Sequence, residues 1–449
     1  MRRFSLLVKA VSLAAVLLVL MMGLSMIGGL ANERVAYRAQ AAASIEGSLA
    51  GAQTLAGMVL TRRCVETFET TVIKDKEKTV ERSEVRTVLR SLPQSSSWTT
   101  ESKIEPRYRG LYKVNSYALN AEEVVDWKTA RDLAVLPLKA PAVAVRCDAP
   151  LIEFTVTDPR GIRAVRLRGP NGDLEVKPST NGGTFNRGFE AKLPVAESAL
   201  DAPLRLRLVV DLVGIESVGF VPLAVDNTVT LKSDWPHPSF GGEFLPLTRT
   251  VSAQGFDARW SVSSLAAQAR SQLGSSAAGC AQTRSSTKGC LQSFGVDFID
   301  PVNPASLSDR ATKYGILFIV LTFAGIVLLE VLKGQAVHPV QYLLIGAAMA
   351  VFFLLLLSLS EHIAFIKAYV TAAVACVALL TVYAKAVLGG WQRALPMSAG
   401  LAVLYCVLYL VLQSEQHALL AGSLLVFAVL AGVMLLTRHV KWGGLNEGA

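Results

Sequence analysis

Chemistry at neutral pH often begins with histidine, and the 449-residue chain has five: His237, His338, His362, His417 and His439. None has a second histidine at ligand spacing, and no His-Glu-x-x-His stretch occurs, so no histidine metal centre is expected. The Gly-x-Ser-x-Gly, Gly-x-Gly-x-x-Gly and Gly-x-x-x-x-Gly-Lys-Ser/Thr patterns are also absent. The expectation is no catalytic residue set, no metal and no cofactor, in a protein that is not an enzyme.

Three polar clusters could still bind or transfer something. Residues 234–246 read DWPHPSFGGEFLP. Three prolines stiffen this segment, and Trp235, Phe240 and Phe244 can stack or pack. With Pro236, His237, Pro238 and Glu243 it forms either a recognition loop, one that could also hold its domain against a membrane surface, or a rigid corner with buried rings. The second cluster is Glu361-His362, flanked by Ser358 and Ser360. A Glu-His pair can relay protons, but at the end of a membrane span, where hydration is cheap, an interfacial turn is the preferred reading. Asp309-Arg310 and Lys313-Tyr314 read as an interfacial anchor.

Six cysteines divide by surroundings. Cys376 and Cys406 lie in apolar runs and act as small apolar residues. Cys64, Cys147, Cys280 and Cys290 lie in the polar part of the chain, where three pairings exist. Cys280 with Cys290, close together across a loop, is the favoured disulfide in an oxidising compartment.

The elements that carry these residues follow from composition. Only 18% of residues are charged and 52% are apolar, with a mean hydropathy of +0.42. A soluble chain has about 25% charged residues, so part of this one is solvated by lipid. A helix needs roughly 20 apolar residues to span a bilayer. Ala10 to Asn32 meets this requirement, and residues 314–332, 340–360, 363–384, 394–413 and 418–437 give five further candidates. The expected organisation is a cytoplasmic N-terminus and first span over 1–32, a large domain over 33–313, five helices over 314–437 and a cytoplasmic tail over 438–449.

Basic residues set the sidedness. Arg2, Arg3 and Lys9 precede the first span, Lys333 follows the second, Lys385 and Arg393 bracket the loop after the fourth, and Arg438 and Lys441 follow the sixth. The opposite loops carry Glu361 and Glu415, with Lys367 as the exception. Both termini are thus expected in the cytoplasm and residues 33–313 in the periplasm. A cleavable signal peptide ending at Ala39-Gln40-Ala41 is the rival reading. The apolar run exceeds the roughly 7–15 residues of a signal core, and Glu33, Arg34 and Arg38 intervene before the site, so a retained signal anchor is preferred.

The net charge of +9 partly reflects the same asymmetry. No basic stripe interleaved with aromatics occurs, so nucleic acid is not an expected partner; lipid headgroups are.

The outer region reads as mainly β. Residues 65–73, 80–89, 108–119, 151–156, 164–167, 204–212 and 225–231 are β-branched or apolar, several alternating with period two. Asp158-Pro159-Arg160-Gly161, Pro170-Asn171-Gly172-Asp173 and Asn181-Gly182-Gly183 mark turns. A sandwich or a long antiparallel sheet is expected, with parallel elements left open. A Ser/Ala/Gly-rich loop over 261–293 interrupts it, with a short helix expected at 261–273 and an exposed loop at 274–289.

These stretches also carry a resemblance. Glu33-Arg34 with Tyr37-Arg38, DWPHPSFGGEFLP at 234–246, DRATKY at 309–314, HPVQYLL at 338–344 and LLLLSLSEH at 354–362 resemble, in order, the CreD family of bacterial inner-membrane proteins. Residues 60–200 match loosely apart from Asp158-Pro159-Arg160-Gly161, and the loop around Cys280 and Cys290 is a local elaboration. The resemblance implies cell envelope integrity, regulation by a two-component system, and altered sensitivity to colicins and β-lactams. It implies no catalytic residues.

The expected function is thus an inner-membrane protein of the cell envelope, anchored by six spans and acting through its periplasmic domain on envelope components or other envelope proteins. A membrane transporter or flippase-like carrier is the alternative.

Overall fold

A computed structural model describes residues 2–74, 77–135, 137–138, 142–179, 188–273, 291–298, 300, 304–333, 337–388, 390–413 and 418–437. The chain divides into two compact units, Met1–Ala39 with Val302–Ala449, and Gln40–Pro301. The first is helical and the second is built on β-sheet, as the separation of apolar runs from alternating ones implies.

Helix α1 (Arg2–Ser48) continues well past its apolar run, because the following ERVAYRAQAAAS stretch is rich in good helix formers. A short α2 (Ala269–Gln272) belongs to the β unit. The remaining helices are α3 (Pro304–Lys333), α4 (Pro339–Ser360), α5 (Phe365–Leu388), α6 (Trp391–Gln413) and α7 (Ala418–Thr437). Among the described residues four helices are long and apolar enough to cross a membrane: Val11–Ser48, Pro339–Ser360, Phe365–Val387 and Ala394–Gln413. The stretches expected at 314–332 and 418–437 are helical too, with shorter described apolar segments at Lys313–Val327 and Gly422–Gly432. Because α1 and α3 extend beyond their apolar cores, the units divide at 39/40 and 301/302.

Leu20 and Leu24 of α1 are buried with Phe318 and Phe323 of α3, Tyr342, Phe352 and Phe353 of α4, and Tyr405 of α6. Two glycines permit this approach: a Cβ at Gly346 would collide with Leu20, and one at Gly315 would press on Leu24 and Phe353. Small residues at helix contacts are how apolar helices pack where the solvent is itself apolar.

The β unit has seventeen described strands: β1 (Gln53–Lys74), β2 (Glu77–Ser91), β3 (Ser95–Arg109), β4 (Tyr112–Trp127), β5 (Ala142–Cys147), β6 (Leu151–Val156), β7 (Ile162–Gly169), β8 (Gly172–Leu174), β9 (Val176–Pro178), β10 (Gly188–Lys192), β11 (Leu204–Ile215), β12 (Ser217–Phe220), β13 (Asp226–Ser233), β14 (Pro238–Gly242), β15 (Thr248–Ser252), β16 (Gly255–Ser263) and β17 (Phe294–Phe298). One nine-stranded sheet runs β14-β17-β12-β1-β6-β10-β9, with β2 and β5 also paired to β1; an eight-stranded sheet runs β15-β16-β13-β3-β4-β11-β7-β8. Pairing is antiparallel except for β1 with β12 and β13 with β3. Leu55, Met58, Phe154 and Phe220 of the first sheet meet Trp98, Tyr117, Leu208 and Trp260 of the second in one core.

Two expectations need correction. Residues 108–119 are not one strand: Gly110, at φ +59, opens a two-residue hairpin turn between β3 and β4. Residues 261–273 are not one helix, because β16 runs to Ser263, paired with β13, before a turn leads into α2. The turn at 181–183 and the loop at 274–289 lie outside the described residues.

Candidate functional site

In the helical unit, polar motif residues meet one another. Arg34 Nε lies 3.0 Å from Glu361 Oε1. Lys9 pairs with Glu330, whose other oxygen accepts a 3.1 Å hydrogen bond from the hydroxyl of buried Tyr342. Lys9 and Arg34 of α1 are thus separated by roughly 37 Å of helix at 1.5 Å per residue, and bracket a span. His338 caps α4: its Nδ1 accepts from the Val340 N–H, while its own N–H donates to Gln341 Oε1. His338, Gln341 and Tyr342 of the HPVQYLL stretch therefore start one helix and brace it against another.

Glu361 is taken up by Arg34, and His362 beside it is exposed. The expected pair is adjacent in sequence, but the contact that matters is across helices. In the Lys9–Glu330 pair, replacing Lys9 by methionine or Glu330 by glutamine is expected to lower the melting temperature of the detergent-solubilised protein. The double variant should lose less than the sum, with a coupling of about 1 kcal/mol; strictly additive losses would show that the pair contributes nothing.

The 234–246 segment is a corner with an exposed rim. Trp235 donates from Nε1 to the His237 carbonyl at 2.9 Å, and Lys113 Nζ lies 5.5 Å from its ring centroid. Phe240 packs edge-on against Phe256 and Trp260, and Phe244 against Phe294. Pro238 begins edge strand β14, where a missing N–H is tolerated. Pro236 is half-buried, while His237 and Glu243 are exposed.

Asp158-Pro159-Arg160-Gly161 closes on the end of α1. Asp158 accepts from the Gly51 N–H at 3.0 Å and from the Arg160 N–H at 3.1 Å. Arg160 grips the same carboxylate through Nε and Nη2 and donates from Nη1 to the Gly47 carbonyl at 2.9 Å. Burial pushes the Asp158 carboxyl upward, but the Arg160 guanidinium and the N–H donors together hold it below the usual range.

Glu123 was not among the expected site residues. It points inward from β4 and is 1% exposed, with Oε1 2.8 Å from Ser96 Oγ and Oε2 accepting from the Met58 N–H at 3.1 Å. That N–H is turned inward by a bulge at Gly57, whose φ is +78 and where a Cβ would press on Glu123. Burial pushes its carboxyl up to about 8, against the opposing hydrogen bonds from Ser96 and Met58. Glu123 is therefore protonated at neutral pH. A signal was present in the sequence: the inward series Tyr117, Leu119, Ala121, Glu123, Val125, Trp127 has a carboxylate in an apolar slot.

Cys64 and Cys147 form a disulfide that fastens β5 to β1. Of the three pairings this is the one compatible with Cys280–Cys290; those two lie outside the described residues. Among the described residues no group of three or more His, Cys, Asp or Glu could hold a metal ion. An apolar groove of about 600 Å³ lies between α5 and α6, lined by Tyr369, Val374, Ala402, Tyr405, Cys406 and Leu410 among others.

The comparisons agree with the motifs. The family model described as inner membrane protein CreD matches residues 5–443. A relative from Escherichia coli (strain K12), inner membrane protein CreD, is 33% identical over 436 residues, covering 97% of this chain and 93% of its own length. The motifs that order the helix ends thus sit inside an alignment that runs through both units, and the chain belongs to the CreD family of inner membrane proteins.

Proposed function

We propose that this protein is a non-enzymatic organiser of the cell envelope, held in the inner membrane by six spans, with its β unit in the periplasm and both termini in the cytoplasm. The observation that carries the reading is where the motif side chains go. Arg34, Glu361, His338, Gln341, Tyr342, Asp158 and Arg160 are engaged in caps, ion pairs and helix-end clamps. A protein whose distinctive residues serve its architecture acts through its surface. Envelope integrity, and with it tolerance of colicins and β-lactams, is the process such a surface would serve, through contact with envelope components or other envelope proteins.

The ion pairs support the threading. Lys9 and Glu330 share one end of the helical unit, Arg34 and Glu361 the other, as alternating spans require. Alkaline phosphatase fused after residue 150 is expected to be active, and after residue 336 inactive. An inactive fusion at 150 would overturn the sidedness.

The α5/α6 groove favours a second reading, a carrier for an apolar chain. Substrate-dependent flux in proteoliposomes, lost in Glu361→Gln, would replace the first reading with this one.

A further inference from the structure

The floor of the groove between α5 and α6 carries three tyrosine rings, Tyr369, Tyr405 and Tyr409. The Tyr369 hydroxyl donates to the Tyr405 carbonyl at 2.6 Å, and the Tyr405 hydroxyl lies 3.1 Å from Cys376 Sγ. Both hydroxyls are therefore satisfied within the helix pair, and the rings are left to present apolar faces. Val370 and Val374 of α5 and Cys406 and Leu410 of α6 form exposed rims on either side. The last helix of the chain does not take up this groove, because α7 packs on α6 and α3.

The dimensions suit one extended chain. From Ile366 to Ala378 the groove follows α5 for about 18 Å at 1.5 Å per residue, close to the depth of one leaflet of a hydrocarbon core roughly 30 Å thick. At the far end its walls are the small residues Ala378 and Ala402.

Only the near end is polar. Gln413 Nε2 donates to the Tyr409 hydroxyl at 2.6 Å, which fixes the amide at the mouth and leaves its second N–H for a ligand. On α5, Lys367 is exposed and precedes Val370 and Val374 on the same helix face. Lys367 is also the exception to the distribution of basic residues along the chain. Glu361, six residues earlier, is taken up by Arg34, and Lys367 has no ion pair among the described residues. An apolar channel with a cation and an amide at its mouth is complementary to an anionic head on an apolar tail.

We infer that the α5/α6 groove is the site of one resident anionic phospholipid, its phosphate held by Lys367 and Gln413 and one acyl chain laid along the tyrosine floor. The inference rests on α5 and α6 crossing the membrane, as their length and composition allow. It goes beyond the carrier reading, which needs the groove to release what it holds.

The test is native mass spectrometry of the detergent-solubilised full chain with dioleoylphosphatidylglycerol or dioleoylphosphatidylethanolamine as the probe. One phosphatidylglycerol per chain is expected, retained about fivefold better than phosphatidylethanolamine, and Lys367→Gln should abolish that preference. Ala402→Phe, which fills the inner end, should lower retention of both lipids about tenfold without changing the melting temperature. Phosphatidylglycerol should also slow labelling of Cys406 by N-ethylmaleimide about fivefold in the native chain and not in Ala402→Phe. Equal retention of the two lipids by the native chain, a preference that survives Lys367→Gln, or a dimer that Ala402→Phe dissociates would overturn the inference. The last result would give the groove to a second copy of the chain. None of these readouts uses flux or a phosphatase fusion, so failure here would leave the sidedness standing and the carrier reading to its own test.

Discussion

Replacing Glu123 by glutamine is expected to stabilise the protein at pH 8.5 and to flatten its stability between pH 5 and 8. The carboxyl is raised to about 8 in the folded chain against an ordinary value of 4.5, with burial as the main cause. Between those values the folded state holds a proton that the unfolded chain has released. Stability therefore falls as pH rises through this window, by up to about 1.4 kcal/mol per unit, and levels off above 8. Glutamine keeps both contacts, its carbonyl accepting from the Met58 N–H and its amide donating to Ser96, and has no proton to lose. The gain at pH 8.5 should be a few kcal/mol, with the two proteins converging near pH 5. Urea titrations of the detergent-solubilised chain, followed by fluorescence of the buried Trp98, Trp127 and Trp260, read the difference directly. Parallel pH profiles for the two proteins would show that Glu123 is not the group responsible.

Loss of the Cys64–Cys147 disulfide is expected to be the most costly covalent change in the β unit. The bridge closes a separation of 83 residues, so its absence lets the unfolded chain expand and should destabilise by about 2–5 kcal/mol. The paired Cys64→Ser and Cys147→Ser substitutions should lower the urea midpoint, and reductant should bring the native protein to the same value. The bond lies where β5 joins β1 at the base of the long β1–β2 hairpin, so proteolysis in that hairpin should also become faster. A reduced protein with an unchanged midpoint would mean that the β pairing alone holds this region.

The helices were legible because lipid solvation demands long uninterrupted apolar runs, and the five C-terminal runs all correspond to helices. β11 was legible for a different reason: in Leu204-Arg205-Leu206-Arg207-Leu208 the leucines are buried and the arginines exposed, one face wet and one dry. β3 was not, because its inward residues include Ser96, Thr100 and Ser102, which leave no apolar alternation to read. Thr100 instead donates to the Thr230 carbonyl of β13, and the strand is held by pairing on both sides with β4 and β13. Such a strand is specified by its neighbours rather than by its own pattern.

The candidate site was legible as motifs but not as contacts. Glu361 and His362 drew notice by adjacency, yet the partner of Glu361 is Arg34, on a helix at the other end of the chain. Spacing rules work over a few turns of helix and carry no information at that separation. The recognition-loop residues split between the two readings: Phe240 and Phe244 are packed against neighbouring rings, while His237 and Glu243 face solvent.

The pairing of α1 with the C-terminal helices also imposes an order on biogenesis. α1 leaves the ribosome first, yet Glu330 lies 321 residues after Lys9, a delay of roughly 15–65 s at 5–20 residues per second. Throughout that interval the grooves at Gly315 and Gly346 that receive Leu24 and Leu20 have not been made, nor have Glu330 and Glu361, which pair with Lys9 and Arg34 in the finished protein. The β unit is synthesised within the same interval, so, with the β unit placed in the periplasm as proposed, its translocation and the oxidation of Cys64 with Cys147 can precede completion of the helical bundle. A chaperone or insertase that shelters a lone span would act on this protein during that window, before the last helices arrive to claim it.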